Sequence, residues 1–382
     1  MDFEFSSDQT AALDTIVDWY KNHRMELPVY ILAGAAGCGK STLISCLKNY
    51  LPPIAIAYCS FTGKAATVLR RKMAELGISG NQVSTIHGLM YKPIIDKRTK
   101  EIIGWQKNQT LGCDLVVVDE SSMVPKELYD DLISYGVPIL FVGDHYQLPP
   151  VSKHDFNLMD QAFIKLEKRH RFSENSPIIK LATLIRNGEA VPYGNHGPLV
   201  SKRRMCNITD EERQAFFQSD ELKNGEAIVL CGFNRTRVKL NTSIRDRFGY
   251  QGLLNYGERI ICLKNNNRTN VPLFNGGIGT VKHMAKDYSQ SMLTHVDLDG
   301  YDDQFKGHIF KDIFGTEKPD LFKRLRKIQC FDYGYAISTH KSQGSQWKRV
   351  CVFEERCPLW EHNRWLYTAV TRSEGELLII NG

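Results

Sequence analysis

Residues 34 to 42 read GAAGCGKST, directly after the apolar run VYILA and directly before LISCLKNY, whose apolar residues have helical spacing. A strand, a glycine-rich loop and a helix in immediate succession constrain this chain more than any other feature. The pattern G-x-x-x-x-G-K-[ST] is met by Gly34, Gly39, Lys40 and Ser41, with Ala35, Ala36, Gly37 and Cys38 between them and Thr42 after. Glycines let the backbone curl so that its N–H groups point inward, and a helix opening near Lys40 adds its positive dipole end. In such a loop the lysine reaches the β- and γ-phosphates and the hydroxyl of Ser41 ligates Mg²⁺. The stretch therefore predicts a bound nucleoside triphosphate, ATP, with Mg²⁺.

The surrounding pattern gives the loop a fold. VYILAG, IAIAYCSF, DLVVVDES and PILFVGD are short continuous apolar runs separated by amphipathic segments, the mark of a parallel sheet covered on both faces. A second set follows in EAIVLCGFN, YGYAIST, RVCVFEE and ELLIING, so two α/β lobes are expected. Residues 256–330 differ, with Gly and Asn clusters between short alternating strands, and read as a small antiparallel barrel inserted in the second lobe. YKPIIDKRTKEIIGWQKN, residues 91–108, reads as a projecting β-hairpin. The expected division is residues 1–165 for the first lobe, 166–255 with 331–382 for the second, and 256–330 for the barrel.

Composition sets the compartment. The chain has 382 residues, 42% of them hydrophobic and 24% charged, which suffices for more than one core. No apolar stretch approaches the ~18 residues of a membrane span, and MDFEFSSDQT has no secretory pattern, so a cytoplasmic protein without a membrane partner is expected. Ten cysteines without C-x-x-C pairs suit free thiols in a reducing compartment, with Cys59, Cys231, Cys262 and Cys351 inside apolar runs. A net charge of +6 permits a nucleic-acid partner without demonstrating one. The basic clusters KRHR, KRR, RTRVKLNTSIRDR and KRLRK, each taken alone, read as solvated faces.

Other residues turn binding into hydrolysis. VVVDESSM ends an apolar strand with Asp119, which can hold Mg²⁺, and Glu120, which can accept a proton from an attacking water. In GDHYQLPPV, Gln147 is placed to sense the γ-phosphate. Near the N-terminus Ser6 or Ser7 caps a helix on which Gln9 is expected to be exposed, its amide suited to the N6 and N7 edge of adenine.

In order along the chain these segments resemble the motifs of superfamily 1B helicases, the branch with RecD-like and phage Dda-like enzymes. Gln9 matches the Q motif, GAAGCGKST motif I, SFTGKAATVL Ia, STIHGLM Ib, VVVDESSM II and GDHYQLPPV III. LEKRHRF matches motif IV, ISTHKSQGSQWKRVCV motif V and LYTAVTRS motif VI, while NGGIGTV resembles part of the family's inserted barrel. The resemblance implies two RecA-like P-loop lobes, an SH3-like barrel and a hairpin pin, in a monomer. It implies Arg171 and Arg372 as arginine fingers, with Arg169 a competitor of Arg171, and a guanidinium in that role is worth roughly 10³ to 10⁵ in rate.

The resemblance further implies a strand path over Phe61, Thr62, Lys64, Thr85, His87, Asn234, Arg235, Thr339, His340 and Lys341, with Trp105 on the hairpin stacking at the fork. Gln343, Gly344 and Ser345 would lie near the nucleotide. The implied activity is ATP-dependent 5′ to 3′ movement on single-stranded DNA and opening of forked duplex DNA, with replication or recombination proteins as further partners. A nucleotide-gated clamp or assembly ATPase that does not move is the alternative from another class, and an RNA helicase is a variant of the motor. Family members commonly have Pro where Phe61 stands.

Overall fold

The computed structural model describes residues 5–75, 77, 82–95, 102–150, 156–166, 176–266, 269–287, 289–301, 303–317, 328–358 and 360–381. The chain forms two compact units, residues 1–174 and 175–382.

The strands of the first unit are β1 Val29–Gly34, β2 Ile56–Ser60, β3 Gln82–Thr85, β4 Tyr91–Ile95, β5 Ile102–Lys107, β6 Leu115–Asp119, β7 Ile139–Gly143 and β8 Ile164–Leu166. Six of them make a parallel sheet in the order β3-β2-β6-β7-β1-β8, while β4 and β5 pair separately as an antiparallel hairpin. Continuous apolar runs form buried strands because alternate residues feed two cores. Leu32, Tyr58, Val117 and Leu140 pack on one face with the helices Ser7–Asp18 and Lys40–Cys46. Ile31, Ala57, Cys59, Val116, Val118 and Phe141 pack on the other with the helices Ile86–Met90 and Lys126–Ile133. Since all six strands run the same way, Gly34, Ser60, Thr85, Asp119 and Gly143 finish along one edge.

β3 and β8 lack apolar runs of any length and were not anticipated. Ile164 and Leu166 pair with Leu32 and Gly34 of β1, so the expected limit at 165/166 falls inside a strand of the first sheet. The division between units lies at 174/175 instead.

The second unit contains β9 Gly194–Gly197, β10 Val200–Arg204, β11 Ala227–Cys231, β12 Arg259–Cys262, β13 Ile278–Asp287, β14 Ser291–Leu298, β15 Phe305–Phe310, β16 Phe331–Tyr333, β17 Ala336–Ser338, β18 Trp347–Glu354 and β19 Ser373–Asn381. Its six-stranded sheet has the order β17-β11-β18-β19-β10-β9, parallel except at the β9 edge. A five-stranded antiparallel sheet, β15-β14-β13-β12-β16, closes over Ile260, Val281, Val296, Phe305 and Phe331. β16 extends this sheet to Tyr333, three residues beyond the expected insertion, because Phe331 to Tyr333 pair with β12.

Buried ion pairs join the two sheets of this unit. Arg237, on the helix Asn234–Arg247, bonds Asp332 of β16, and both side chains are almost fully buried. Asp332 Oδ1 also accepts from the N–H groups of Gly315 and Tyr333, each at 2.8 Å. About two turns along the same helix face Arg245 pairs with Glu258 and lies 4.1 Å over the Tyr333 ring. The expectation of a solvated basic face is therefore corrected for these arginines: alternate turns of a helix covered by a second sheet must bury some of its cations, and burial requires partners. In KRR at 202 to 204 the same correction holds for Lys202, buried on Glu354 at 2.6 Å, while Arg203 meets Glu212 at 3.3 Å nearer the surface and Arg204 is exposed. KRHR and KRLRK lie outside the described residues. All ten cysteines are free, and among the described residues no helix is long and apolar enough to cross a membrane.

Burial alone would raise the pKa of Glu354, but bonds from His362, Lys202 and Asn381 lower it from 4.5 to about 2. Because the folded value is the lower one, this stabilisation is present above the ordinary carboxylate range and is lost as pH falls towards 2. Glu354→Gln leaves Lys202 buried without its counter-charge and is expected to cost about 3–5 kcal/mol near neutrality. Denaturant unfolding of both proteins across pH should show the gap narrowing below pH ~4.

Candidate functional site

The edge where the strands of the first sheet end carries its functional side chains. Gly37 and Gly39 have φ of 84° and 76°, the left-handed region that glycine enters without a Cβ penalty. Gly34 is needed for closeness: a Cβ there would stand 2.6 Å from the Cys38 sulfur. The loop then leads into the helix Lys40–Cys46, which contains Ser41 and Thr42. Lys40 Nζ donates to the carbonyls of Gly34 at 2.7 Å and Ala35 at 2.9 Å. Burial would lower its pKa, and Cys38, Asp144, Glu120 and Asp119 outweigh that and raise it above the ordinary lysine value. The ammonium is thus held charged by Cys38 first and then by the three carboxylates, while its hydrogen bonds go to two neutral carbonyls and, at 4.0 Å, to the Cys38 sulfur, contacts that an anionic phosphate can outcompete.

Asp119 closes β6 and is buried, its Oδ1 accepting from the Glu120 N–H at 2.9 Å. Glu120 has φ 53°, the positive value for a non-glycine residue among the described residues. Holding a carboxylate side chain there costs roughly 1–2 kcal/mol, a strain that functional sites retain. Ser41 and Asp119 supply two hard oxygen donors, a set that suits Mg²⁺ completed by phosphate and water. Among the described residues no group of three or more His, Cys, Asp or Glu is placed to hold a metal ion.

Gln147 is buried, and its Nε2 donates to Asp144 Oδ2 at 3.4 Å, while its Oε1 is buried without a partner. Asp144, fully buried where β7 ends, was missed by the sequence reading. Its signal was available: the carboxylate follows the buried strand ILFVG much as Asp119 ends LVVV. Its Oδ1 accepts from the Tyr146 N–H at 3.0 Å, so it shapes the loop that presents Gln147.

Gln9 requires a correction. It is 5% exposed rather than open on the first turn. Ser6 caps the helix with Gln9 in a reciprocal capping box, Oε1 accepting from Ser6 N–H, and Nε2 reaches the Cys38 carbonyl at 3.2 Å. A side chain satisfied at both ends by capping and by the loop cannot remain in water. The structure therefore ties the Q-motif helix to the glycine-rich loop.

Phe61, Thr62, Lys64, Thr85 and His87 lie after β2 and β3 on the same edge, all half-buried. Thr85 caps the helix Ile86–Met90 by accepting from Gly88 N–H at 3.0 Å. The His87 ring packs against Tyr91 at 4.6 Å and edge-on to Trp105 at 4.5 Å, and desolvation lowers its pKa. Trp105, on β5, is 47% exposed. The hairpin base is anchored by Tyr91 and Lys107, both on Asp131 of the helix Lys126–Ile133.

In the second unit Asn234 and Arg235 are exposed at the start of the helix Asn234–Arg247. His340 and Lys341 are half-buried, and burial lowers the His340 pKa. Thr339 departs from the expected strand contact: it is fully buried, its hydroxyl donating to the Cys231 carbonyl at 3.4 Å. It braces motif V against β11 because it opens a short helix packed beneath that strand's end. Gly344 has φ 75°, and Gln343 and Ser345 are buried beside it. Arg372 is 3% exposed, with Nε donating to the Thr368 carbonyl at 3.1 Å and Nη1 to the Ser345 carbonyl at 3.3 Å, so motifs V and VI are directly bonded. Arg169 and Arg171 lie outside the described residues.

Comparison with known proteins agrees with this geometry. Residues 21–153 match the family model described as an AAA domain, and residues 333–380 match that of the UvrD-like helicase C-terminal domain. The ATP-dependent RecD2 DNA helicase of Deinococcus radiodurans is 28% identical over 400 residues, covering 96% of this chain and 48% of that protein. These matches are consistent with the superfamily 1B helicases. The ATP-dependent DNA helicase Pif1 of Campylobacter jejuni is 24% identical over 402 residues, covering 90% of this chain and 86% of that one. A crystal structure of Bacteroides Pif1 helicase with ADP-AlF3 and ssDNA shares the fold, with a TM-score of 0.59 at 18% identity over 99% of this chain and 92% of that chain. The chain spans about half the length of the RecD2 relative.

Relief of the Glu120 strain is measurable. Glu120→Gly is expected to raise the unfolding free energy by up to about 1 kcal/mol, read from urea denaturation, while Glu120→Ala gives no such gain.

Proposed function

We propose that this chain is an ATP-driven DNA helicase that moves 5′ to 3′ along single-stranded DNA and opens forked duplexes. The observation that carries the reading is the gathering of Lys40, Asp119, Glu120, Asp144 and Gln147 on one sheet edge, with the ammonium held charged by Cys38 and its carboxylate neighbours. Lys40 would take the β- and γ-phosphates in place of its two carbonyl bonds, and Glu120 would accept the proton of the attacking water. Mg²⁺, held by Ser41 and Asp119, would supply charge neutralisation of the phosphate oxygens. Gln147 brings a buried acceptor without a partner, suited to orienting a water or sensing the terminal phosphate. Arg372 and Arg171 serve on this reading as arginine fingers.

The two parallel sheets are then RecA-like motor lobes, and the five-stranded antiparallel sheet is the SH3-like inserted domain. Phe61, Thr62, Lys64, Thr85, His87, Asn234, Arg235, His340 and Lys341 make up the strand path, joining hydroxyls and cations for phosphates to aromatic faces for bases. The bond from Arg372 to the Ser345 carbonyl would couple the nucleotide to His340 and Lys341. The hairpin β4–β5 becomes the pin, since Trp105 is exposed yet held edge-on by His87.

The deciding experiment uses forked duplexes with one single-stranded tail of either polarity. ATP-dependent opening is expected only with a 5′ tail, and Lys40→Ala should abolish it together with turnover. Opening of neither fork, or ATP turnover indifferent to added single strands, would refute the motor.

For the hairpin, Trp105→Ala should lower unwinding at least several-fold while translocation, read by displacement of streptavidin from a biotinylated strand, survives. Equal loss of both would remove the pin.

A further inference from the structure

We propose that Phe233 and Trp360 form a base-stacking platform for single-stranded nucleic acid in the second unit, beside motif V. This platform presupposes the strand-binding reading above and adds to it two side chains that no motif match singles out.

The two rings lie 5.1 Å apart at 46°. Phe233 is 37% exposed although it sits in the loop directly after the fully buried strand β11. Trp360 is held from behind. A Cβ on Gly232 would come within 2.8 Å of its Cη2 and Cζ2, so the indole packs against bare backbone. It stacks on the buried Trp365 at 6.0 Å and 20°, and the His340 ring stands edge-on to it at 6.3 Å.

The backbone carrying Phe233 is equally fixed. One carboxylate, Glu355, accepts from the N–H groups of Gly232 at 2.6 Å and Phe233 at 3.1 Å, and from the Thr236 hydroxyl at 2.5 Å. Ordering of this kind is settled before any ligand arrives, so binding need not supply its entropy.

Charge selects the occupant. Asn234 and Arg235, the two positions after Phe233, are exposed, and His340, which Lys341 follows in the chain, stands against Trp360. The nearby acidic groups are engaged: Glu355 by three donors, and Glu361 by Arg364 at 2.9 Å. An aromatic face flanked by cations and an amide fits a polymer with exposed base faces and a phosphate backbone, which is a single strand. A paired duplex hides its base faces in the stack.

Fluorescence anisotropy with a labelled oligo-dT strand, and with a strand of equal length carrying abasic sites, tests the platform at one salt concentration. Phe233→Ala is expected to weaken oligo-dT binding about ten-fold, in the range of one lost stack, and to leave abasic binding within about two-fold of wild type. Phe233→Trp should retain wild-type binding of both strands. Unchanged oligo-dT affinity in Phe233→Ala, or equal loss on both strands, overturns the platform while strand binding itself stands. A wild-type protein that binds neither strand overturns the strand-binding reading and the platform with it.

Discussion

The functional edge of the first unit depends on one ammonium held among carboxylates. A parallel sheet buried on both faces has no freedom about where its strands end, and so Gly34, Asp119 and Gly143 finish together. That brings the acids following β6 and β7 into the field of Lys40, which answers them. Loop shape and charge are consequently one problem. The glycines allow the tight path, the path places the lysine over its own carbonyls, and the acids keep it protonated there. Neutral carbonyls are a weak claim on a full positive charge, so the resting contacts leave most of that charge for an incoming anion.

The second unit uses cations differently. Arg237, Lys202 and Arg372 are buried and Arg245 is largely so, three of the four on carboxylates and Arg372 donating to backbone carbonyls. Removing one partner of a buried pair costs more than the pair contributes, so such pairs specify an arrangement more than they strengthen it. The chain's 49 lysines and arginines thus overstate the cations presented to a polyanion, and those that matter for recognition are at exposed helix starts, such as Arg235.

What the sequence disclosed follows from how local its signals are. The long apolar runs became the central strands, because a run buried on both faces needs no further context to be recognised. β3 and β8 were invisible because four and three residues at a sheet edge carry almost no pattern. The glycine-rich loop was legible since its spacing is itself the geometry. Gln9 was not, because exposure depends on the loop it meets 29 positions later. Asp144 sat in a stretch already noted for its glutamine, and only its distance from Lys40 in space gives it a role. Arg237 and Thr339 failed for the same reason: a charged or hydroxylated residue reads as surface until its partner, 95 or 108 positions away, is known.

The two ion pairs along the helix Asn234–Arg247 have a mechanical corollary. Arg237 and Arg245 fasten that helix to the antiparallel sheet about two turns apart, at Asp332 and Glu258. Two fixings on a rigid rod forbid rotation about either one, which a single fixing would permit. Any force on β13 to β15 is therefore delivered to the parallel sheet without slack, and the elbow that a long linker would have offered is absent from this junction.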